Sequence, residues 1–249
     1  MLAAGIGARL GPSIDAAGHP PKILLEFGGR TLLERHVAIL RSLGIEGLDL
    51  VVGYRADDIA AAVAACGANG YVRRFHNPDY RQGSVVSLAV AAEALAGGAD
   101  VLLMDADVLY DSRLLGRLVR TTHSNAFLMD RDIEPGEEPV KLCIRDGQIV
   151  DFRKRVETPH DFHGESVGFF RLSPAVADAV AAAARSYRAD GRGTEMYEEA
   201  IRDVLLGSPA GTFGYEDVTG LPWIEIDFAE DVRRASAEVL PQLEEVEGE

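Results

Sequence analysis

The sequence predicts an α/β fold, a doubly wound and mostly parallel sheet with a small mixed β lobe in its second half. Three observations carry that prediction. Apolar runs of strand length alternate with segments of helical periodicity through the first half, as parallel strands joined by crossover helices require. A glycine-rich stretch, Leu2-Ala3-Ala4-Gly5-Ile6-Gly7-Ala8-Arg9-Leu10, leads out of the first apolar run. Two carboxylates, Asp105 and Asp107, directly follow Val101-Leu102-Leu103-Met104. Open α/β sheets build their sites at such carboxyl ends of strands.

In chain order, Leu2-Ala3 ends a strand and opens the glycine-rich loop. Thr31 to Leu43 carries Leu32, Leu33, Val37, Ile39 and Leu40 at helical spacing and stops at Gly44, a residue that readily adopts the left-handed backbone of a helix end. Leu48 to Gly53 reads as a buried parallel strand. Asp57 to Cys66 is a helix with Asp57 and Asp58 at its positive N-terminal end. Tyr71 to Phe75 is a strand, Ser84 to Leu95 a helix and Val101 to Met104 a strand. Ala126 to Met129 is a strand. Val140 to Ile144 and Ile149 to Phe152 flank Asp146-Gly147, the dipeptide of a tight hairpin. Ser166 to Leu172 is another strand. The helix over Pro174 to Tyr187 has Ser173 as its cap and proline in its first turn. Tyr197 to Leu206 is a helix, Trp223 to Asp227 a strand and Ala229 to Leu240 the last helix. No Ser/Gly/Pro-rich linker divides the chain, so one domain over 1–249 is expected: a half over 1–123, a half over 124–243 and a polar acidic tail over 244–249.

Composition narrows the function. With 249 residues, 47% hydrophobic and 26% charged, the chain has the balance of a globular protein. Its formal net charge of −15 argues against nucleic acid as a partner, because duplex binding needs a basic face. It suits anionic substrates that arrive with a divalent metal. Cys66 and Cys143 are the only cysteines and form no C-x-x-C, which argues against a disulfide framework or a cysteine zinc site. No apolar run approaches the ~20 residues of a membrane span, and Met1 is not followed by a signal peptide pattern. A cytoplasmic location without membrane insertion is expected.

The glycine-rich loop carries the chemistry. Small residues at Ala3, Ala4, Gly5 and Gly7 let backbone N–H groups approach an anion closely. Arg9 and, after Pro20-Pro21, Lys22 add a planar fork and a point charge for phosphate oxygens. The loop fits neither G-x-x-x-x-G-K-[ST] nor G-x-G-x-x-G, because Leu10 stands where the third glycine of the latter would fall. The set suits a nucleoside triphosphate. Asp105 and Asp107, read as successive positions of an extended strand, are expected to point the same way. Such carboxylates suit Mg2+, a hard cation that takes oxygen ligands and bridges to phosphates. Asp227, ending Trp223-Ile224-Glu225-Ile226-Asp227, is the candidate second carboxylate. The histidines His36, His76, His123, His160 and His163 are read as surface or core residues.

The loop with Arg9, Pro21 and Lys22 resembles the signature L-x-x-G-x-G-x-R-[LM] … P-K of the nucleotidyltransferase superfamily, whose fold is built on a Rossmann-like sheet. Trp223 to Asp227 with Glu230-Asp231 resembles the closing W-x-E-I-D-x-x-E-D-[LV] of the small cytidylyltransferases that act on phosphocholine, phosphonates and inositol phosphates. Asn77-Pro78-Asp79-Tyr80 with Gly83-Ser84 and Ser87-Leu88 is similar to their N-P-x-Y … G-S-x-x-S-L segment. Asp146 to Val150 with Lys154 resembles D-G-x-I-V … K, and Gly164 to Phe169 resembles G-E-x-x-G-[IF]. The likeness runs from Leu2 to about Leu243. The family's first strand normally has several more residues before this loop, so a weaker support for the loop is expected here.

The resemblance implies CTP as one substrate and a small phosphorylated or phosphonate acceptor, such as phosphocholine or 2-aminoethylphosphonate, as the other. It implies a nucleotide-binding half (1–123) and an acceptor-binding half (124–243). Leu2, Ala3, Ala4, Gly5 and Gly7 hold base and phosphates, Arg9 and Lys22 contact the triphosphate, and Gln82, Gly83, Ser84 and Ser87 read the base, with Asp105 also on the nucleotide. Asp107 and Asp227 hold Mg2+, and Lys154 contacts the acceptor phosphate. Tyr80, Glu165, Tyr197 and Trp223 are the candidates for the acceptor's head group: choline would call for an aromatic cage with a carboxylate, an aminoethyl group for carboxylates more than rings, and inositol for hydroxyl partners. Two alternatives stand beside this reading: a sugar-1-phosphate nucleotidyltransferase using UTP or dTTP, and a non-catalytic nucleotide-sensing domain. The sequence leaves the oligomeric state open.

Overall fold

The computed structural model describes residues 1–11, 18–133, 136 and 138–244. The chain opens with β1 (Leu2–Ala3), followed by a 3-10 turn over Ala8–Leu10. A second 3-10 turn, Lys22–Leu24, precedes a hairpin of β2 (Glu26–Phe27) and β3 (Arg30–Thr31). Helix α1 (Leu32–Ser42) begins where Thr31 and Glu34 form a capping box, each side chain accepting from the other's backbone N–H. Strand β4 (Leu48–Val52), helix α2 (Ala56–Ala65) and strand β5 (Val72–His76) follow. Strands β1, β4 and β5 form a parallel sheet in that order, with Leu2 opposite Val51 and Leu48 opposite Val72. Parallel pairing follows from the connections, which carry α1 and α2.

The expected helix over Ser84 to Leu95 is divided into α3 (Ser84–Val90) and α4 (Ala92–Leu95). Ala91, at ψ −1°, interrupts the α-helical run. Then come β6 (Val101–Met104), β7 (Val108–Tyr110), α5 (Ser112–Arg120) and β8 (Ala126–Asp130). Strands β9 (Lys141–Arg145) and β10 (Gln148–Arg153) form the expected hairpin. Asp146 and Gly147 at its tip have φ of 51° and 72°, the paired left-handed residues of a type I′ turn.

Strand β11 (Phe162–Leu172) starts earlier than its sequence suggests, because its first residues pair with β9 (Phe162 opposite Ile144). Its later residues pair with β8 and β6 on either side (Phe170 opposite Phe127 and Leu103). An irregularity between Ser166 and Phe170 contains Gly168 at φ 78°. Helices α6 (Pro174–Ala189) and α7 (Tyr197–Gly207), strands β12 (Gly214–Asp217) and β13 (Trp223–Glu225), and helix α8 (Ala229–Arg234) complete the order. Ser173 stands at the N-cap of α6, but its side chain makes no capping bond; instead its backbone N–H donates to Asn125 Oδ1 at 2.7 Å. The last helix is shorter than expected: after Arg234 a π turn (Ala235–Val239) and a 3-10 turn (Leu240–Gln242) replace the α geometry.

Two compact units result. One comprises Met1–Arg81, Asp105–Arg113 and Pro222–Glu249; the other comprises Gln82–Met104 and Leu114–Leu221. The first holds the parallel sheet and the β7–β13 pair, with Leu33, Leu50, Val51 and Ile59 in its core. The second holds a mixed sheet in the order β10-β9-β11-β8-β12, with β6 also on β11. Its core centres on Phe127, whose ring lies 5.0 Å from Phe152, 5.1 Å from Phe170 and 5.7 Å from Phe213.

Candidate functional site

The glycine-rich loop leaves β1 and closes on itself through the Leu10 N–H, which donates to the Gly7 carbonyl at 3.0 Å. Gly7 is left-handed (φ 69°), and a Cβ there would lie 3.2 Å from both the His19 ring and the Lys22 side chain. Glycine therefore lets the loop bend and lets Lys22 lie against it. At Gly5 a Cβ would meet nothing within 4 Å. The loop is anchored by buried Ala4 and Leu10 and by the Tyr54 N–H, which donates to the Ala4 carbonyl.

Lys22 lies between two carboxylates. Its Nζ donates to Asp107 Oδ2 at 2.9 Å and to Asp227 Oδ1 at 2.7 Å. Arg9 donates to the other oxygen of Asp227 at 2.8 Å, and its guanidinium faces the Phe228 ring. The Lys22 side chain is 15% exposed, against 22% for Asp107 and 16% for Asp227. Burial by itself would lower the lysine's pKa, but the charges and hydrogen bonds of Asp107 and Asp227 outweigh it and hold the ammonium above its ordinary value.

Register brings these acids together. In the antiparallel β7–β13 pair Glu225 lies opposite Val108, and beyond it the Ile226 N–H donates to the Asp107 carbonyl at 2.9 Å. Asp107, Glu225 and Asp227 thereby converge, with one carboxylate oxygen from each lying within 4.8 Å of the others. Glu225 is the member not singled out from sequence; its alternation with Asp227 in Trp223-Ile224-Glu225-Ile226-Asp227 was the available signal. Asp231 fixes the adjacent backbone by accepting from the Asp227 and Phe228 N–H groups at 2.9 and 2.6 Å.

The expectation that Asp105 and Asp107 share one face of a strand does not hold. Strand β6 ends at Met104, Asp105 makes an isolated parallel bridge with Leu2, and the chain bends at Ala106 before β7. Alternation along an extended strand therefore does not apply, and Asp105 is not in the acidic cluster. Buried His36 supports the bend: its neutral Nε2–H donates to the Ala106 carbonyl at 3.0 Å, with the Tyr110 hydroxyl 3.4 Å from Nδ1. Desolvation pushes its pKa down to about 4.

The remaining predicted site residues divide between the units. Tyr80, in the first unit, packs so closely on Gly53 that a Cβ there would lie 2.5 Å from it, and the Arg81 guanidinium faces its ring. Trp223 lies opposite Tyr110 in the β7–β13 pair. In the second unit, Gly83 is the N-cap of α3, and its N–H donates to the Gly193 carbonyl at 2.8 Å. A Cβ at Gly83 would fall 2.1 Å from the Glu195 carbonyl, and one at Gly193 would fall 2.6 Å from Gln82 Oε1. Ser84 Oγ accepts from the Tyr197 N–H at 2.8 Å, and Ser87 is buried. The Tyr197 ring is buried edge-on to Phe170. Glu165, in β11, lies opposite Lys141 of β9 and Asp130 of β8. Lys154 pairs with Glu138 at 3.0 Å. His160 and His163, three residues apart, hydrogen-bond through Nε2 and Nδ1 at 2.9 Å. Among the described residues no helix is long and apolar enough to cross a membrane.

The architecture is the nucleotidyltransferase-type α/β fold. Over 94% of this chain and 95% of the other, it superimposes on the CTP:phosphocholine cytidylyltransferase of Streptococcus pneumoniae with a TM-score of 0.73 at 20% identity, a likeness of fold. The chain belongs to the MobA-like NTP transferase domain family, matched over residues 1–152. It is 31% identical over 245 residues to a bifunctional IPC transferase and DIPP synthase of Rubrobacter xylanophilus, covering 96% of this chain and 51% of that protein. It is 26% identical over 253 residues to the CMP-5'-(3-aminopropyl)phosphonate synthase of Streptomyces rubellomurinus, covering 98% of this chain and 39% of that protein. The chain thus spans about half or less of the length of these two relatives.

Proposed function

We propose that this chain is a cytidylyltransferase that joins CTP to a small phosphorylated alcohol or phosphonate, giving a CDP-alcohol or CMP-phosphonate and pyrophosphate, and that it acts as one nucleotidyltransferase domain. The observation that carries the reading is the Lys22 ammonium seated between Asp107 and Asp227, with Arg9 on the same Asp227 and Gly7 against the lysine stem. Cations for a triphosphate and carboxylates for its metal stand together there. CTP and a small acceptor are supported by the relatives, one named for a CMP-phosphonate product and one fold neighbour for phosphocholine.

In this reading the loop over Leu2 to Gly7 holds the base and phosphates through backbone N–H groups. Gln82, Gly83, Ser84, Ser87 and Asp105 are assigned to the nucleotide as well. The acceptor's phosphate or phosphonate oxygen is already anionic at neutral pH, so no strong base is needed. It attacks the α-phosphorus of CTP in line; the new P–O bond forms as the bond to the β-phosphate oxygen breaks, and pyrophosphate carries away the electron pair. Arg9 and Lys22 offset the charge growing on that leaving group, and positioning supplies most of the rest. Asp107 and Asp227, with Glu225 beside them, are suited to Mg2+, since their oxygens converge within 4.8 Å and carboxylates are its preferred side-chain ligands. When bound, the ion supplies charge neutralisation at the α-phosphate. Lys154, Tyr80, Glu165, Tyr197 and Trp223 are assigned to the acceptor.

The test is pyrophosphate release with Mg2+, crossing CTP, UTP, dTTP, ATP and GTP against phosphocholine, 2-aminoethylphosphonate, inositol 1-phosphate and glucose 1-phosphate. Release with CTP and one small phospho-alcohol or phosphonate is expected. Release confined to UTP or dTTP with glucose 1-phosphate would overturn the reading in favour of sugar-nucleotide synthesis.

A further inference from the structure

We propose that Lys22 is a place-holding cation: without nucleotide it occupies the carboxylates of Asp107 and Asp227 and keeps free divalent metal from them, so metal is retained only together with the triphosphate that draws the lysine away. The inference rests on the cytidylyltransferase reading above and adds an order of binding to it. Lys22 Nζ lies 2.9 Å from one carboxylate and 2.7 Å from the other, the contacts of a charge-assisted hydrogen bond to each. Arg9 takes the remaining oxygen of Asp227 at 2.8 Å. Among the described residues, Asp107 and Asp227 are thus each bonded to a side-chain cation.

A divalent ion entering alone would meet the ammonium, itself only 15% exposed, at close range, where like charges repel more than in bulk water. A metal–triphosphate complex changes that balance, because its phosphates give both Lys22 and Arg9 a new anionic partner. The four-carbon lysine stem allows the move without displacing backbone: it lies against Gly7, where the missing side chain leaves it room. Lys22 is then a positioning residue before the triphosphate enters and a phosphate contact afterwards.

The experiment is Mn2+ binding followed by the EPR signal of free Mn2+, on the intact chain, with and without the non-hydrolysable analogue α,β-methylene-CTP. Wild type, Lys22→Met and the charge-keeping Lys22→Arg are compared. Nucleotide-free wild type and Lys22→Arg are expected to bind Mn2+ weakly, and Lys22→Met at least about tenfold more tightly. The analogue is expected to confer tight Mn2+ binding on wild type. If wild type with the analogue retains Mn2+ but Lys22→Met alone binds it no better than wild type, place-holding is overturned while the metal site stands. If neither state retains Mn2+, the acidic cluster is not a metal site, and the functional reading falls with the inference. Should Lys22→Met fail to fold, lysine 15Nζ NMR of the wild-type chain decides: the Lys22 ammonium signal is expected to hold its position with millimolar Mg2+ alone and to shift with the analogue. A shift with Mg2+ alone would overturn the inference.

Discussion

Replacing Asp227 with asparagine should separate activity from stability. The wild-type carboxylate accepts from Lys22 at 2.7 Å and from Arg9 at 2.8 Å. At an effective dielectric of about 20, the Lys22 contact amounts to roughly 6 kcal/mol of Coulomb attraction. Arg9 is 45% exposed, so screening leaves its contact at about 1 kcal/mol or less. Against these stands repulsion from Asp107, at least about 3 kcal/mol because the two oxygens lie within 4.8 Å, and a smaller amount from the exposed Glu225. The attraction lost is therefore no more than about 3 kcal/mol, and relief of the desolvation of a mostly buried carboxylate, several kcal/mol for an ion, offsets it. The fold should change in stability by no more than about 2 kcal/mol, a shift in Tm below roughly 8 °C for a chain of this size. Turnover should fall roughly a thousandfold, because the amide cannot serve as an anionic metal ligand. Thermal melts and steady-state pyrophosphate release measure both. Near-normal turnover, or a Tm loss well beyond 8 °C, would refute the reasoning.

Three further outcomes are expected. His36, buried and with its pKa depressed to about 4, binds fewer protons when folded than when unfolded. Its contribution is full above the unfolded value of about 6.5 and is lost as pH falls toward 4, up to about 3 kcal/mol; urea midpoints between pH 4 and 7 should lose that part of their slope in His36→Gln. Gly83→Ala should destabilise by about 3 kcal/mol or more, because the new methyl would overlap the Glu195 carbonyl; a Tm within a few degrees of wild type would mean that the 193–195 segment yields. Lys154→Ala should raise the KM for the acceptor by about tenfold and leave the KM for CTP unchanged, and equal effects on both constants would remove it from the acceptor's contacts.

Local signals in the sequence proved readable where local chemistry governs. Thr31 and Glu34 mark the start of α1, Asp146-Gly147 sets the β9–β10 hairpin, and the small residues at Gly5 and Gly7 announce the loop. Features set by distant partners were harder to read. The first residues of β11 are held in the sheet by β9, and Ser173 stands at the N-cap of α6 as expected while its N–H is held by the distant Asn125. Lys22 meets carboxylates 85 and 205 positions away. Asp227 ends an apolar run, but Asp107 is preferred over Asp105 only through the family resemblance; Glu225 joins them through the β7–β13 register, which single-strand alternation does not specify. The alternation argument for Asp105 and Asp107 lapses because the strand ends at Met104, before either residue. Reading the histidines as lacking any H-x-x-H spacing is wrong: His160-Asp161-Phe162-His163 has it, and the structure joins the two rings by a hydrogen bond.

The central claim is that these residues carry transfer to the α-phosphorus of CTP. Phosphorus NMR of a reaction containing CTP, Mg2+ and either phosphocholine or 2-aminoethylphosphonate tests it most directly. The account predicts pyrophosphate together with the paired phosphorus signals of a CMP-bearing product. CDP with a transferred terminal phosphate, or CTP unchanged with these two acceptors and with inositol 1-phosphate as well, would contradict it.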